Sequence, residues 1–139
     1  MAQQTLSNGE NRGDFRSAIN SMFTEVYASV AALVLGTRTR SAQTGTSYQL
    51  VAGDAGNAVS LNNAGAVTLT IPANATVAFA VETQIDWMTL GAGQVTFTPA
   101  GGVTMRSSGG KTKSTGQYSA GTLYKIGTNE WLLAGDIST

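Results

Sequence analysis

Residues 93–117 read GQVTFTPAGGVTMRSSGGKTKSTGQ. Apolar residues alternate with threonine in VTFT (95–98) and again in VTM (103–105), which is the period of a β-strand with one buried and one outer face. The paired glycines at 101–102 and 109–110 interrupt these runs and are typical of turns. This stretch therefore predicts short strands joined by tight turns, with few charges on either.

The same pattern extends to both sides of this stretch. In VTLTI (67–71), Val67, Leu69 and Ile71 share one face and the threonines share the other. Strands are predicted at 48–51, 59–61, 67–71, 79–81, 84–90, 94–97, 103–105, 119–126 and 130–133. Many short strands at close spacing indicate an antiparallel sandwich or barrel-like domain, and we predict one over residues 48–139.

A single helical pattern precedes the strands, over residues 14–35. Asp14 is placed as an N-cap or first-turn acid, and Gly36 stands where a helix stops. Apolar residues recur at heptad spacing and widen into a broad stripe. The predicted oligomerisation and anchoring residues on it are Phe15, Ile19, Met22, Phe23, Val26, Tyr27, Val30 and Leu33.

Two interpretations of this stripe remain open: packing against the β-domain of the same chain, or bundling with copies of itself. In either case the chain divides into three parts. Residues 1–36 form a polar lead and an anchoring helix, residues 37–47 (TRTRSAQTGTS) a linker, and residues 48–139 the β-domain.

Charge limits the partners that the chain is expected to have. Eight basic residues balance eight acidic ones, and only 12% of residues are charged. Nucleic acids and anionic membranes attract a basic excess, so neither is predicted as a partner. The frequent small residues predict a thin core in a single copy, which favours burial shared between subunits and hence a homotrimer.

Catalytic chemistry has little to work with in this sequence. The chain has no cysteine and no histidine, which removes thiolate metal sites and the commonest general base. Glu82 and Asp86 share a parity and are the one candidate acid pair for a hydrolase, although we interpret them as outer-face charges. Trp87 and Trp131 have apolar neighbours and are predicted in the core or an interface.

Lysines and loops offer no stronger site. Lys111, Lys113 and Lys125 are predicted to form a solvated turn. The sequence GGKT lacks the upstream glycine of a phosphate loop. We therefore predict no enzyme activity, no cofactor and no metal.

Two stretches, residues 13–33 and residues 67–136, resemble structural proteins of tailed bacteriophages, and three elements carry the match in the second. GDFRSAINSMFTEVYASVAAL (13–33) is similar to an N-terminal segment of such proteins. GAGQVTFTPAGGVTMRS (91–107), GQYSAGTLYKI (116–126) and NEWLLAGD (129–136) are similar to the β-rich module of phage tail-fibre, head-fibre and decoration proteins. Members of that group often have glycine at the position of Glu82.

The resemblance implies a non-enzymatic virion protein, made in the bacterial cytoplasm and commonly trimeric. The expected partners are copies of itself and phage capsid or tail proteins, with a host-surface receptor as a further candidate. We expect a short fibre or capsid decoration protein, attached through residues 1–36 with the β-domain outward. A tail-fibre component or a receptor- or glycan-binding tip is the alternative.

Overall fold

The computed structural model describes residues 10–34 and 38–139, with the side chains of 12–29 within the helix. The chain divides into two compact units between Thr37 and Arg38. The first contains helix α1, Glu10–Val34. It begins four residues before the predicted start, so the N-cap assigned to Asp14 is wrong. Gly36 lies outside the described residues.

The second unit is built of two sheets. Its strands are β1 (Arg40–Gln43), β2 (Ser47–Gln49), β3 (Ala58–Leu61), β4 (Val67–Ile71), β5 (Gln84–Thr89), β6 (Val95–Pro99), β7 (Thr104–Ser107), β8 (Lys113–Ser114), β9 (Ala120–Gly127), β10 (Glu130–Gly135) and β11 (Ile137–Ser138). Sheet 1 has the order β1-β3-β5-β9-β10-β7, and sheet 2 has the order β11-β8-β6-β4-β2.

The first six strands wind as three coils. Each coil contributes one strand to sheet 1 and the next to sheet 2: coil 1 is β1 and β2, coil 2 is β3 and β4, and coil 3 is β5 and β6. Successive coils pair in parallel, so that Tyr48 lies beside Leu69 and Leu69 beside Phe97. Antiparallel pairs appear from β8 onward, at β6–β8, β5–β9, β9–β10 and β8–β11.

The core lies between the two sheets. Alternate residues of facing strands are buried, including Leu69 and Phe97 in sheet 2 and Trp87 and Leu123 in sheet 1. The rings of Trp87 and Phe97 meet across the core with 4.8 Å between centroids. At about 25 cal/mol per Å² of apolar surface buried, such aromatic side chains dominate the hydrophobic stabilisation.

The predicted fold class, mainly β after one N-terminal helix, is confirmed, and β4 coincides with the predicted strand 67–71. The sheets are mixed, not wholly antiparallel. Alternation along a strand reports which face is buried and carries no signal for the direction of the neighbouring strand.

Some predicted boundaries are wrong. Residues 37–47 are not a plain linker, because β1 and the first residue of β2 lie there. These strands form sheet edges, where polar residues are tolerated and the apolar signal is weak. Residues 79–81 form no strand, and the short strands β8 and β11 lie outside every predicted strand.

Stacked corners join the coils at one edge of the unit. Asn63 donates from Nδ2 to the Thr44 carbonyl oxygen at 2.7 Å, and Gly93 N–H donates to the Asn63 carbonyl oxygen at 2.8 Å. A Cβ on Gly93 would lie 1.8 Å from the carbonyl oxygen of Gly65. Only glycine permits this approach, which explains GAG at residues 91–93.

A polar network closes the core at coil 1. The Tyr48 hydroxyl donates to Asp54 Oδ2 at 2.8 Å, and Gln43 Nε2 donates to Ser41 Oγ at 2.8 Å. Asp54 is buried and also accepts the Val51 N–H at 2.9 Å. Ser41, Gln43 and Tyr48 are half-buried, and hydrogen bonding offsets the cost of removing these polar groups and Asp54 from water.

Candidate oligomerisation surface

Helix α1 exposes large apolar side chains along one stripe. Ile19 is half-buried, and the others are exposed: Phe15 by 58%, Met22 by 61%, Phe23 by 55%, Val26 by 52% and Tyr27 by 70%. We call these six residues the α1 apolar face. Val30 and Leu33 belong to the same helix, but their side chains lie outside the described residues.

The α1 apolar face has the spacing of a helix that packs on another helix. Phe23 and Tyr27 are four residues apart, and their rings lie 6.3 Å apart between centroids. Residues three and four apart share one side of a helix, so the six side chains form a continuous stripe. Burying one large apolar side chain contributes about 1.5–3 kcal/mol, so a partner along this stripe would stabilise the assembly considerably.

The two candidate acids, Glu82 and Asp86, bind different partners. Asp86 lies on the outer face of sheet 1, where Arg38 Nη1 forms an ion pair with Oδ2 and Thr122 Oγ1 donates to Oδ1 at 2.9 Å. Burial alone would raise the pKa of Asp86, but hydrogen bonds from Gln84 and Thr122 and the Arg38 charge lower it overall. Glu82 accepts the Tyr124 hydroxyl.

The ion pair of Arg38 also fixes the start of the β unit. Arg38 Nε donates to the Gly56 carbonyl oxygen at 3.1 Å, and Thr39 N–H donates to Asn57 Oδ1 at 2.9 Å. Arg38 therefore binds the segment before β3 and Asp86 of β5, both in its own chain. These bonds fix Arg38, the first residue of the β unit, to the rest of that unit.

The two tryptophans are buried as predicted, each 1% exposed. Trp131 packs edge-on against Phe79 with 5.5 Å between ring centroids. Trp87 Nε1 has no hydrogen-bond partner among the described residues. Both side chains stabilise the core, and neither offers a surface platform.

The predicted solvated lysine turn is wrong for Lys125. Lys111 is exposed and Lys113 half-buried, whereas Lys125 lies in β9 and is 1% exposed. The sequence did indicate this burial: Lys125 is two residues from Leu123 in the same strand, so both side chains point to the core face. Burial lowers the pKa of the Lys125 amine.

No family model matches the chain, and neither does any curated protein.

Over residues 10–34, α1 is not long and apolar enough to cross a membrane. In the parts of the chain that the structure describes, no three acidic side chains are grouped as metal ligands.

Proposed function

We propose that this chain is a non-enzymatic structural component of a tailed-phage virion: a trimeric short fibre or capsid decoration protein. It attaches through its N-terminal region and presents the β unit outward. The observation that carries the proposal is the α1 apolar face, on which five large side chains are more than half exposed.

The exposed face supports self-association because apolar side chains in contact with water are unfavourable, and a partner would bury them. Contiguous exposed apolar side chains mark interaction sites in soluble proteins. The stripe is wider than the seam of a two-stranded coiled coil, which favours a bundle of three helices over a pair.

The β unit supports a structural role through its internal hydrogen bonding. Its corners are joined by side-chain hydrogen bonds, such as the one from Asn63 to the Thr44 carbonyl oxygen. An ion pair between Arg38 and Asp86 fixes its first residues. Segments that are tightly hydrogen-bonded open rarely and resist proteolysis. Such a unit suits a particle exposed outside the host.

The outer face of sheet 2 is rich in threonine. Sheet 2 presents Thr68, Thr70, Thr96 and Thr98 outward, and the first and last of these are exposed. A hydroxyl-bearing face is readily hydrated, which supports the outward orientation of the β unit.

Charges in the α1 apolar face test the proposal in the full chain. We expect Ile19→Asp with Val26→Asp to abolish the trimer in sedimentation equilibrium at micromolar concentration, and to abolish decoration of phage particles lacking the protein. Ser21→Asp with Ala28→Asp adds the same charge on the opposite side of the helix and should leave both unchanged. A wild-type protein that sediments as a monomer would overturn the trimer, and decoration by the first variant would overturn attachment through the helix.

A further inference from the structure

A single tyrosine is displayed at the corner edge in a backbone conformation that tyrosine rarely adopts. Tyr118 has a φ of 62° and is 74% exposed. A bulky residue in the left-handed region is strained, and such strain is concentrated at binding and catalytic sites. The ring is exposed to solvent, although glycine would adopt this φ with less strain.

The turn around Tyr118 is fixed by buried hydrogen bonds. Tyr118 N–H donates to the Thr89 carbonyl oxygen at 2.7 Å, and Thr89 Oγ1 donates to the Gly116 carbonyl oxygen at 2.7 Å. Ser119 N–H donates to Thr89 Oγ1 at 3.0 Å, and Gly116 N–H donates to Ser119 Oγ at 2.9 Å. Thr89 and Ser119 are both buried, so the ring is presented from a rigid base.

This turn continues the row of stacked corners. Gln117 Nε2 donates to the Leu90 carbonyl oxygen at 3.0 Å, which places residues 115–119 beside residues 90–94. The row then runs through residues 62–66 to residues 44–46. We call these four segments the corner edge; none of them contains a charged residue.

We propose that the corner edge binds a neutral glycan, with a sugar ring stacked on Tyr118. The face of an aromatic ring is electron-rich and attracts the positively polarised C–H groups of a pyranose. The amide, hydroxyl and backbone groups of the corners supply hydrogen-bond partners for sugar hydroxyls. Tyrosine among glycine, serine and asparagine is also the composition of antibody binding loops.

The absence of charge at the corner edge selects the class of glycan. An anionic sugar would meet no cation within these four segments, and the carboxylate of Asp136 lies close to segment 115–119, because its Oδ2 accepts the Ala120 N–H at 3.4 Å. A carboxylate repels sulfated or sialylated chains. A neutral sugar has no such penalty.

A protein partner fits this surface less well. A stable protein interface buries about 800 Å² on each side around an apolar core. The exposed Val81 and Ile126 lie toward the far end of β9, about 20 Å away at ~3.3 Å per residue. Within residues 38–139, Tyr118 is the only exposed aromatic residue, and the corner edge that carries it has no charged residue.

Glycan binding adds an adhesive function to the proposed structural role and depends on the corner edge alone. The test uses the full chain on an array of immobilised neutral oligosaccharides of glucose, galactose, mannose and N-acetylglucosamine, with sulfated and sialylated oligosaccharides as a second arm. Saturation-transfer NMR with the best neutral oligosaccharide follows, and it reports binding whether or not the chain is trimeric.

The informative variant is Tyr118→Gly, which removes the ring and relieves the positive φ, so folding is preserved. We expect it to weaken neutral-glycan binding about tenfold or more, while Tyr118→Phe retains binding and Leu132→Ala, at a distant exposed site, has no effect. Wild-type protein that binds no neutral glycan would overturn the proposal. Preference for the anionic arm, or unchanged binding by Tyr118→Gly, would do the same. A Tyr118→Gly variant that loses trimerisation would instead assign the ring to a contact between copies.

Discussion

Lys125 donates from Nζ to the carbonyl oxygen of Phe79 at 2.6 Å, in a site where 1% of the lysine is exposed. The same ammonium donates to Asn74 Oδ1 at 2.7 Å and lies 5.9 Å from the centre of the Trp131 ring. Phe79 and Asn74 belong to the crossing between β4 and β5, which has no strand of its own. The lysine therefore ties this irregular segment to sheet 1.

Stability is expected to depend on pH through Lys125. Burial lowers its pKa in the folded state below the ordinary value of 10.5, so between the two values the unfolded chain binds more protons and folding becomes more favourable as pH rises. Urea unfolding of wild type and Lys125→Met at pH 7 and pH 9.5 measures this. The difference in unfolding free energy should move in favour of wild type at the higher pH. A difference that stays constant would contradict the prediction.

The closure of coil 1 gives the opposite pH dependence. Burial raises the pKa of Tyr48; the Ser41 hydrogen bond opposes this rise, and Asp54 adds to it. The protonated hydroxyl therefore stabilises the fold below pH 10, and this stabilisation is lost as pH rises through the folded-state pKa. Tyr48→Phe should cost about 1–3 kcal/mol at pH 7, because Asp54 loses a donor. Above pH 10 that cost should shrink, as followed by urea unfolding; a cost independent of pH would refute this account.

The stacked corners should be intolerant of a single methyl group. Gly93→Ala places its Cβ on the Gly65 carbonyl oxygen, and we expect a loss of about 3 kcal/mol or more, seen as a lower midpoint of thermal unfolding. Gly101→Ala is the matched control, because a Cβ there meets nothing within 4 Å. Equal midpoints for the two variants would show that the corners are looser than the structure implies.

Glu82 carries a strained backbone, with a φ of 74°. Glu82→Gly and Glu82→Ala both remove the bond from Tyr124, but only glycine adopts this φ without a Cβ clash. Glu82→Gly is expected to be about 1 kcal/mol more stable than Glu82→Ala in urea unfolding. Equal stabilities would mean that the turn relaxes around the side chain.

The sequence predicted elements better than their arrangement. Alternation in VTLTI identified β4 and its buried face, since side-chain parity is local. The coils went unseen because their spacing is unequal: Arg40 pairs with Ala58, 18 residues on, and Ala58 with Asp86, 28 residues on. Loops of different length between strands hide the repeat from any fixed period.

The sequence likewise predicted one candidate site and missed the other. Heptad spacing located the α1 apolar face, whose exposure is a property of the folded chain. Tyr118 gave no signal, because a positive φ is expected at glycine or asparagine and not at tyrosine. Glu82 did give one: the glycine that the phage resemblance predicts at this position would suit the φ of 74°.

The hydrogen-bonded group of Ser41, Gln43, Tyr48 and Asp54 affects whether further copies of the β unit can stack on coil 1. Coiled β-structures with bare apolar ends add further copies end to end and become fibrils. Here the terminal coil ends in side chains whose polar groups already bind one another. Another copy finds little apolar surface to bury at this end, so the polar coil disfavours end-to-end addition of β units.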